Sequence, residues 1–210
     1  MPNSREEHQL RRMIFVGTGQ VSGDPDLAIL RLGVQTTGED VTKAQTDNAM
    51  ISQQILESLR QLGVTNIKTY QYQIEKIYDY ENGQRIDRGY SVRNILEIRT
   101  TDLGQVGMII DTAVANGANV VDFINFEIAN PDTYYQQALT IALNNAFQKA
   151  KTISASLRIM FNPTPIKITE NTVSPSPFSP VFAARGEAYS TPIEPGSKQI
   201  EASITVEFAY

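Results

Sequence analysis

Residues 89–128, GYSVRNILEIRTTDLGQVGMIIDTAVANGANVVDFINFEI, carry the clearest structural signal in the chain. From Tyr90 onward, apolar and polar side chains alternate, which predicts a half-buried strand. Thr101 and Asp102 then offer a helix N-cap, and apolar residues recur at helical spacing until Gly117, a typical helix stop. Alternation returns over residues 118–128. The stretch therefore predicts a strand, a helix and a second strand.

The chain before this stretch predicts the same order of elements. The pattern indicates a strand at 26–37, a helix at 39–62 that ends at Gly63, a strand at 67–80, and a strand from 85 to 101. Asn82-Gly83 predicts a hairpin turn between the last two strands. From residue 26 the order is strand, helix, strand, strand, helix, strand. We therefore predict an α+β fold, with a βαββαβ core in which an antiparallel sheet carries its helices on one face.

A long helix and further strands follow this core. Residues 131–157 predict a helix, and its many alanines indicate close packing against another element. We expect its buried stripe to contain Leu139, Ala142, Leu143, Ala146, Ala150, Ile153 and Leu157. Residues 160–172 predict a strand. Residues 198–210 show the most regular alternation of apolar and polar side chains in the chain, which predicts a strand with one buried face.

We expect a single domain over residues 13–210, preceded by a flexible segment at 1–12. Residues 174–196 are rich in proline and contain aromatic side chains. A loop of this length without elements of its own is usually functional or disordered. We therefore predict a proline-rich arm that folds onto its own chain or docks on a neighbouring one.

The strand at 26–37 is apolar on both faces in its first half, because Leu27 and Ile29 alternate with Ala28 and Leu30. Such a strand needs a cover on each face, and one cover is another element or subunit. The aromatic side chains of the arm also need cover. The residues predicted to self-associate are Leu27, Ile29, Phe178, Val181, Phe182 and Tyr189.

Composition excludes several classes of function. A net charge of −5 argues against a nucleic-acid partner, which requires a basic surface. The absence of cysteine removes disulfides and thiolate chemistry, and the single histidine, His8, lies in the charged N-terminal segment, where we expect it to be solvated. We therefore expect no metal or cofactor.

No run of about 18 apolar residues is present, so we expect no transmembrane segment. No signal peptide is visible in residues 1–12. As written, the sequence predicts a cytoplasmic protein. If a leader has been removed, the prediction becomes an envelope or periplasmic location.

Three patterns suggest chemistry, and each has a simpler structural interpretation. Gly17, Gly19 and Gly23 suggest a dinucleotide loop, but Ser22 occupies the position of the third glycine and a strand follows where a helix is required. A glycine-rich strand, with a bulge or a close backbone approach at the glycines, fits better.

In the strand at 67–80, the even-numbered positions, which share one predicted face, are mostly aromatic: Tyr70, Tyr72, Ile74, Tyr78 and Tyr80. Basic residues lie nearby in the sequence. Aromatic side chains among basic ones can stack on nucleobases. Tyrosine is also a good strand former whose ring packs while its hydroxyl group stays in water, and the acidic total favours this interpretation.

Carboxylates are the remaining catalytic option. Asp79, Glu81 and Asp87 cluster around the hairpin, and Asp122 and Glu127 lie in the strand predicted at 118–128. Paired carboxylates can act as acid and base. Acidic residues in turns are ordinarily solvated, however, and we predict no catalytic residue.

Short sequence pieces in a fixed order resemble the SIMPL domain family. They are Val16-Gly17-Thr18-Gly19, Pro25-Asp26-Leu27-Ala28, Gly33-Val34, Gly89-Tyr90, Asp102-Leu103, Val106-Gly107, Gly117-Ala118, Ala184-Arg185 and Pro192-Ile193-Glu194-Pro195-Gly196. The resemblance implies an α+β domain, often homo-oligomeric, without established enzymatic activity. It also implies that some relatives form ring-like or channel-like particles, that some are linked to oxidative-stress defence, and that many bacterial relatives are exported behind a leader.

We therefore expect a non-enzymatic structural or interaction protein that self-assembles into a homo-oligomer. The alternatives are a binding module for a small ligand or peptide and, third, a carboxylate-dependent hydrolase.

Overall fold

The predicted βαββαβ order is present in the computed structural model, which describes residues 11–171 and 191–210. The strands are β1 (Arg12–Gly23), β2 (Leu27–Gly38), β3 (Ile67–Glu81), β4 (Gln84–Thr100), β5 (Val120–Glu127), β6 (Lys167–Asn171) and β7 (Lys198–Ala209). The helices are α1 (Val41–Gln61), α2 (Val106–Ala115), preceded by a 3₁₀ turn at Leu103–Gln105, and α3 (Asp132–Leu157). The described residues fall into two compact units.

Among the described residues, the first unit contains 24–129 and 191–196 and is built on a four-stranded antiparallel sheet with the order β3-β4-β2-β5. Both helices of this unit pack on β2, and α1 also packs on β4 and on α2, so they share one face. The core between sheet and helices contains Ala28, Leu30, Leu32, Val34, Ile55, Leu59, Ile98, Val106 and Ile109. This arrangement confirms the predicted α+β class and the split βαββαβ topology.

Helix α1 begins and ends as its sequence predicts. The side chain of Asp40 accepts a hydrogen bond from the backbone N–H of Lys43 at 3.0 Å, and Gly63 follows the helix with φ +89°. Asn48 interrupts the apolar stripe and is fully buried. Its side-chain amide donates to the carbonyl oxygens of Val34 at 3.2 Å and Val92 at 2.9 Å, so α1 is tied by hydrogen bonds to β2 and β4.

The second unit contains β1, β6, β7 and α3, and its three-stranded sheet has the order β1-β7-β6. Strand β7 alternates as predicted: Ala202, Ile204, Val206 and Phe208 are buried, while the residues between them are only partly buried. The first strand and the two C-terminal strands therefore form a sheet of their own. Two compact units do not decide whether the chain unfolds as one domain, so the single-domain boundary at 13–210 stays a prediction.

Two glycines of β1 set the distance between this sheet and α3. A Cβ atom built on Gly17 would lie 2.0 Å from the carbonyl oxygen of Ala142, and one built on Gly19 would lie 2.0 Å from that of Ala138. Only glycine permits such an approach of strand and helix backbones. Of the two predicted explanations for the glycines, the close backbone approach is confirmed, and the register of β1 with β7 runs without a bulge. Residues 12–23 form a strand and not a phosphate-binding loop.

The close approach also corrects the predicted stripe of α3. The buried residues follow a four-residue spacing and are all small: Ala138, Ala142, Ala146, Ala150 and Ser154. Leu143, Ile153 and Leu157 were predicted to be buried and are exposed. The reason is steric, since a helix that touches the strand backbone leaves room only for small side chains such as those of alanine and serine.

We predict that Gly17→Ala destabilises the protein, because the added methyl group forces the strand and the helix apart. The free energy of unfolding, measured by urea denaturation, should fall by about 1–3 kcal/mol, the range for overpacked cores. Gly196→Ala is the matched control, since a Cβ at that position has no neighbour within 4 Å. Equal stability of the two variants would contradict the contact between β1 and α3.

Candidate interaction surface

Several apolar side chains of β3 are exposed, and they lie on both faces of the sheet. Tyr70, at the first irregularity, contacts Arg31 on the face opposite the helices, whereas Tyr72 and Ile74 lie on the helix side. Strand β3 lies at the edge of the four-stranded sheet, and α1 packs mainly on β2 and β4. Its exposed fractions are Tyr70 49%, Tyr72 49%, Ile74 40%, Tyr78 39% and Tyr80 71%. The prediction that the rings pack is met only in part. The guanidinium of Arg31 lies 3.7 Å from the ring centre of Tyr70, and that of Arg85 lies 4.2 Å from the ring centre of Tyr78.

The outer backbone edge of β3 pairs with no strand among the described residues. The register with β4 shifts between Thr69 and Gln71 and again between Lys76 and Tyr78. Between these irregularities, residues 71–76 form a regular strand whose outward N–H and C=O groups can pair with another strand. Tyr72 and Ile74 lie in this segment.

Strand β1 is also an edge strand, but α3 occupies part of its edge. The Lys149 ammonium donates to the carbonyl oxygen of Val16 at 2.7 Å, and the backbone N–H of Thr18 donates to the Asn145 side chain at 3.4 Å. These contacts protect β1 from pairing with another chain.

The predicted hairpin carboxylates are held in ion pairs. Asp87 lies 2.6 Å from the Lys76 ammonium, whose hydrogen bond lowers the pKa of Asp87 below its ordinary value. Asp79 and Glu81 both contact Arg88, at 3.3 Å and 2.7 Å. A catalytic acid at neutral pH needs a raised pKa. Asp87 therefore does not meet this requirement, and it gives the hydrolase interpretation no support.

Asp122 and Glu127, the other carboxylates considered, lie apart on β5. Asp122 contacts Arg93 at 2.6 Å. Glu127 accepts a hydrogen bond from the Asn125 side chain at 2.8 Å. No group of three or more metal-ligating side chains within residues 11–171 and 191–210 is arranged to hold a metal ion.

A buried ion cluster lies on the sheet face opposite the helices. Glu97 on β4 is only 3% exposed and contacts three cations: Arg31 at 3.0 Å, Lys68 at 3.0 Å and Arg99 at 3.1 Å. The hydrogen bond from Lys68, joined by those from Arg31 and Arg99, lowers the pKa of Glu97 to about 2, although burial alone would raise it. Arg31 also lies between the rings of Tyr70 and Phe123.

The residues predicted to self-associate are placed only in part. Leu27 is half-buried, and Ile29, between Arg99 and Asn125 in the sheet, is 5% exposed and already covered within one chain. The other four, Phe178, Val181, Phe182 and Tyr189, lie outside the described residues. Self-association through these residues stays a prediction.

Sequence reasoning missed both the open edge of β3 and the Glu97 cluster. Alternation showed which residues share a face of one strand, but not that β3 is an edge strand. Nor could it show that Arg31 and Glu97 lie opposite each other in the register of β2 and β4. Strand order was the missing information.

We predict that Glu97→Gln destabilises the first unit at neutral pH, by about 2–3 kcal/mol, because it leaves three cations around a neutral amide. The folded-state pKa of about 2 lies below the ordinary value of 4.5. The stabilisation is therefore present above pH 4.5 and is lost as the pH falls towards 2. Urea denaturation at several pH values should show the difference between the two proteins shrinking over this range.

The exposed Glu57 on α1 offers a control, and Glu57→Gln should change the free energy of unfolding by less than about 0.5 kcal/mol. A penalty for Glu97→Gln that stays constant from pH 7 to pH 2 would show that the charge of Glu97 is not what stabilises the sheet.

Comparison with known proteins places this architecture in a family. The 26 kDa periplasmic immunogenic protein of Brucella melitensis is 27% identical over 99% of this chain and 90% of its own length. The uncharacterized protein YggE of Escherichia coli K12 is 24% identical over 79% of this chain and 68% of its own length. Interleukin-1 receptor-associated kinase 1-binding protein 1 of Mus musculus is 26% identical over 72% of this chain and 58% of its own length.

A family profile described as SIMPL, protein of unknown function (DUF541), matches residues 13–208. None of the helices in the described ranges combines the length and apolarity that a membrane crossing requires. The chain belongs to the SIMPL family.

Proposed function

We propose that this chain is a non-enzymatic interaction protein that assembles with copies of itself, and that the edge of β3 is one of its contacts. The observation that carries the proposal is a 15-residue edge strand whose tyrosine and isoleucine side chains stand open. A strand with a free backbone edge and an open aromatic face gains both hydrogen bonds and apolar burial when a second strand joins it.

The sequence of residues 72–76 is complementary to itself in antiparallel pairing about Ile74. With a two-fold axis at that residue, Ile74 lies opposite Ile74 of the second copy. Tyr72 then lies opposite Lys76 of the second copy. The first pair is apolar, and the second is a cation–π pair. On the other face, Gln73 then lies opposite Glu75, to which it can donate a hydrogen bond.

Neighbouring registers are less favourable. An axis at Glu75 would place two carboxylates directly opposite each other, which is destabilising. An axis at Gln73 would place Tyr72 opposite Ile74. It would also place Lys76 opposite Tyr70 of the second copy, which lies at the irregularity and outside the regular segment. Charge therefore disfavours the register centred on Glu75, and the irregularity at Tyr70 disfavours the one centred on Gln73, which leaves the register centred on Ile74.

The contact at β3 is compatible with further contacts through the residues predicted from sequence. The proline-rich arm at 174–196 would supply a second surface for assembly, through Phe178, Val181, Phe182 and Tyr189. Two different surfaces on each copy allow assemblies larger than a dimer. A peptide from another protein could use the same β3 edge, and a binding module is the alternative that the test below distinguishes.

We also propose an envelope or periplasmic location. The relative from Brucella melitensis is named a periplasmic protein. None of the relatives named above is described as cytoplasmic. An assembly role in the envelope is consistent with a chain that has no cysteine, because folding then does not depend on the redox state of the compartment.

A single cysteine tests the contact, because the chain contains none of its own. We predict that Ile74→Cys forms a disulfide-linked dimer under mild oxidation. Residues opposite each other in an antiparallel pair have Cα atoms about 4.5–5.5 Å apart, within the range that a disulfide bridges. Non-reducing electrophoresis measures the dimer fraction, and sedimentation measures the mass of the unmodified protein.

Met160→Cys is the control, since Met160 is 94% exposed and lies outside all strands. It should cross-link only through random collision, and therefore more slowly. Cross-linking of Gln73→Cys in place of Ile74→Cys would keep the contact but shift its register. A monomer at all concentrations, with equal cross-linking at 74 and 160, would refute self-assembly through β3 and leave the edge to a peptide partner.

A further inference from the structure

The positive charge around Glu97 is larger than the negative charge of its carboxylate. Arg31, Lys68 and Arg99 all contact this one carboxylate, so the cluster carries a net charge of +2. Within residues 11–171 and 191–210, no second carboxylate lies within 4.0 Å of any of the three cations. Three like charges held around one buried carboxylate repel one another, and an additional anion would relieve this repulsion.

Each of the three cations keeps N–H donors that no acceptor among the described residues uses. Arg31 uses Nε and Nη2 for Glu97, and Arg99 likewise uses Nε and Nη2. Each guanidinium has five N–H donors. Within the described part of the chain, the Nη1 groups of Arg31 and Arg99 donate to no protein acceptor. Lys68 has three donors and one carboxylate contact. The side chains of Arg31, Lys68 and Arg99 are 28%, 58% and 40% exposed, so a ligand can reach them from solvent.

The cluster is also held in place before any ligand arrives. Arg31 lies between the rings of Tyr70 and Phe123, with its guanidinium carbon 3.7 Å and 4.9 Å from their centres. The bonds to Glu97 fix its orientation further. A planar guanidinium fixed in this way loses little conformational freedom when it binds an anion.

We propose that Arg31, Lys68 and Arg99 form a binding site for a phosphate-type dianion. Phosphate monoesters carry close to two negative charges at neutral pH, which matches the net charge of the cluster, whereas a single carboxylate would neutralise only half of it. Guanidinium groups bind phosphate oxygens through paired N–H donors, and the lysine adds a further charge. Glu97 is the residue that positions the cations and does not itself contact the ligand.

The ligand is either free phosphate or the phosphate group of an organic monoester, and two probes distinguish the sources. Inorganic phosphate and phenyl phosphate are titrated into the full chain by calorimetry, with sodium chloride keeping the ionic strength constant. We expect saturable binding with one site per chain. Tighter binding of phenyl phosphate would indicate a monoester whose organic part contacts Tyr70 or Phe123, and equal binding would indicate free phosphate.

Lys68→Gln should weaken binding about tenfold, the effect of losing one charged hydrogen bond. Lys43→Gln, on the exposed surface of α1, removes the same charge elsewhere and should leave the affinity unchanged. Circular dichroism confirms that each variant is folded, and Arg99→Gln supplies a second loss of charge at the site. No saturable binding of either probe, or an equal loss of affinity in the Lys43 and Lys68 variants, would overturn the proposal.

Discussion

The β3–β4 hairpin is longer than the helices that cover its sheet, and the surface of the first unit follows from this mismatch. Strand β4 has 17 residues and spans roughly 55 Å, whereas α1 has 21 residues and spans roughly 32 Å. The sheet order also places β3 outside the pair of strands on which α1 packs. Tyr72, Ile74 and Tyr80 are therefore left open, on a strand whose backbone edge is also unpaired among the described residues.

The two faces of the same sheet are covered by different kinds of side chain. On the helix side, aliphatic residues of β2 and β4 pack against α1 and α2, with Asn48 the buried polar residue that binds both strands. On the other side, Glu97 is buried under cations with long side chains, which keep their charged ends at the surface. Removing one partner from such a cluster is costly, because the remaining charges then lose their compensation.

Much of the fold could be predicted from the sequence, because alternation, caps and the Asn82-Gly83 turn act locally. The order of elements and the close approach at Gly17 and Gly19 were predicted in this way. The stripe of α3 was not, because hydrophobicity favoured its leucines while the contact with β1 admitted only alanine-sized side chains. The candidate surfaces were not predicted either. They depend on which strand lies at the edge and on which side chains meet across strands, and only the tertiary structure settles these points.

Hydrogen–deuterium exchange of the β3 amides over a range of protein concentrations tests the central claim most directly. If a second copy pairs with this edge, the outward-facing amides of residues 71–76 become protected as the concentration rises, while the amides that already bond to β4 do not change. The same exchange rates in dilute and concentrated protein would contradict the claim and leave β3 an open edge that this protein does not use for self-assembly.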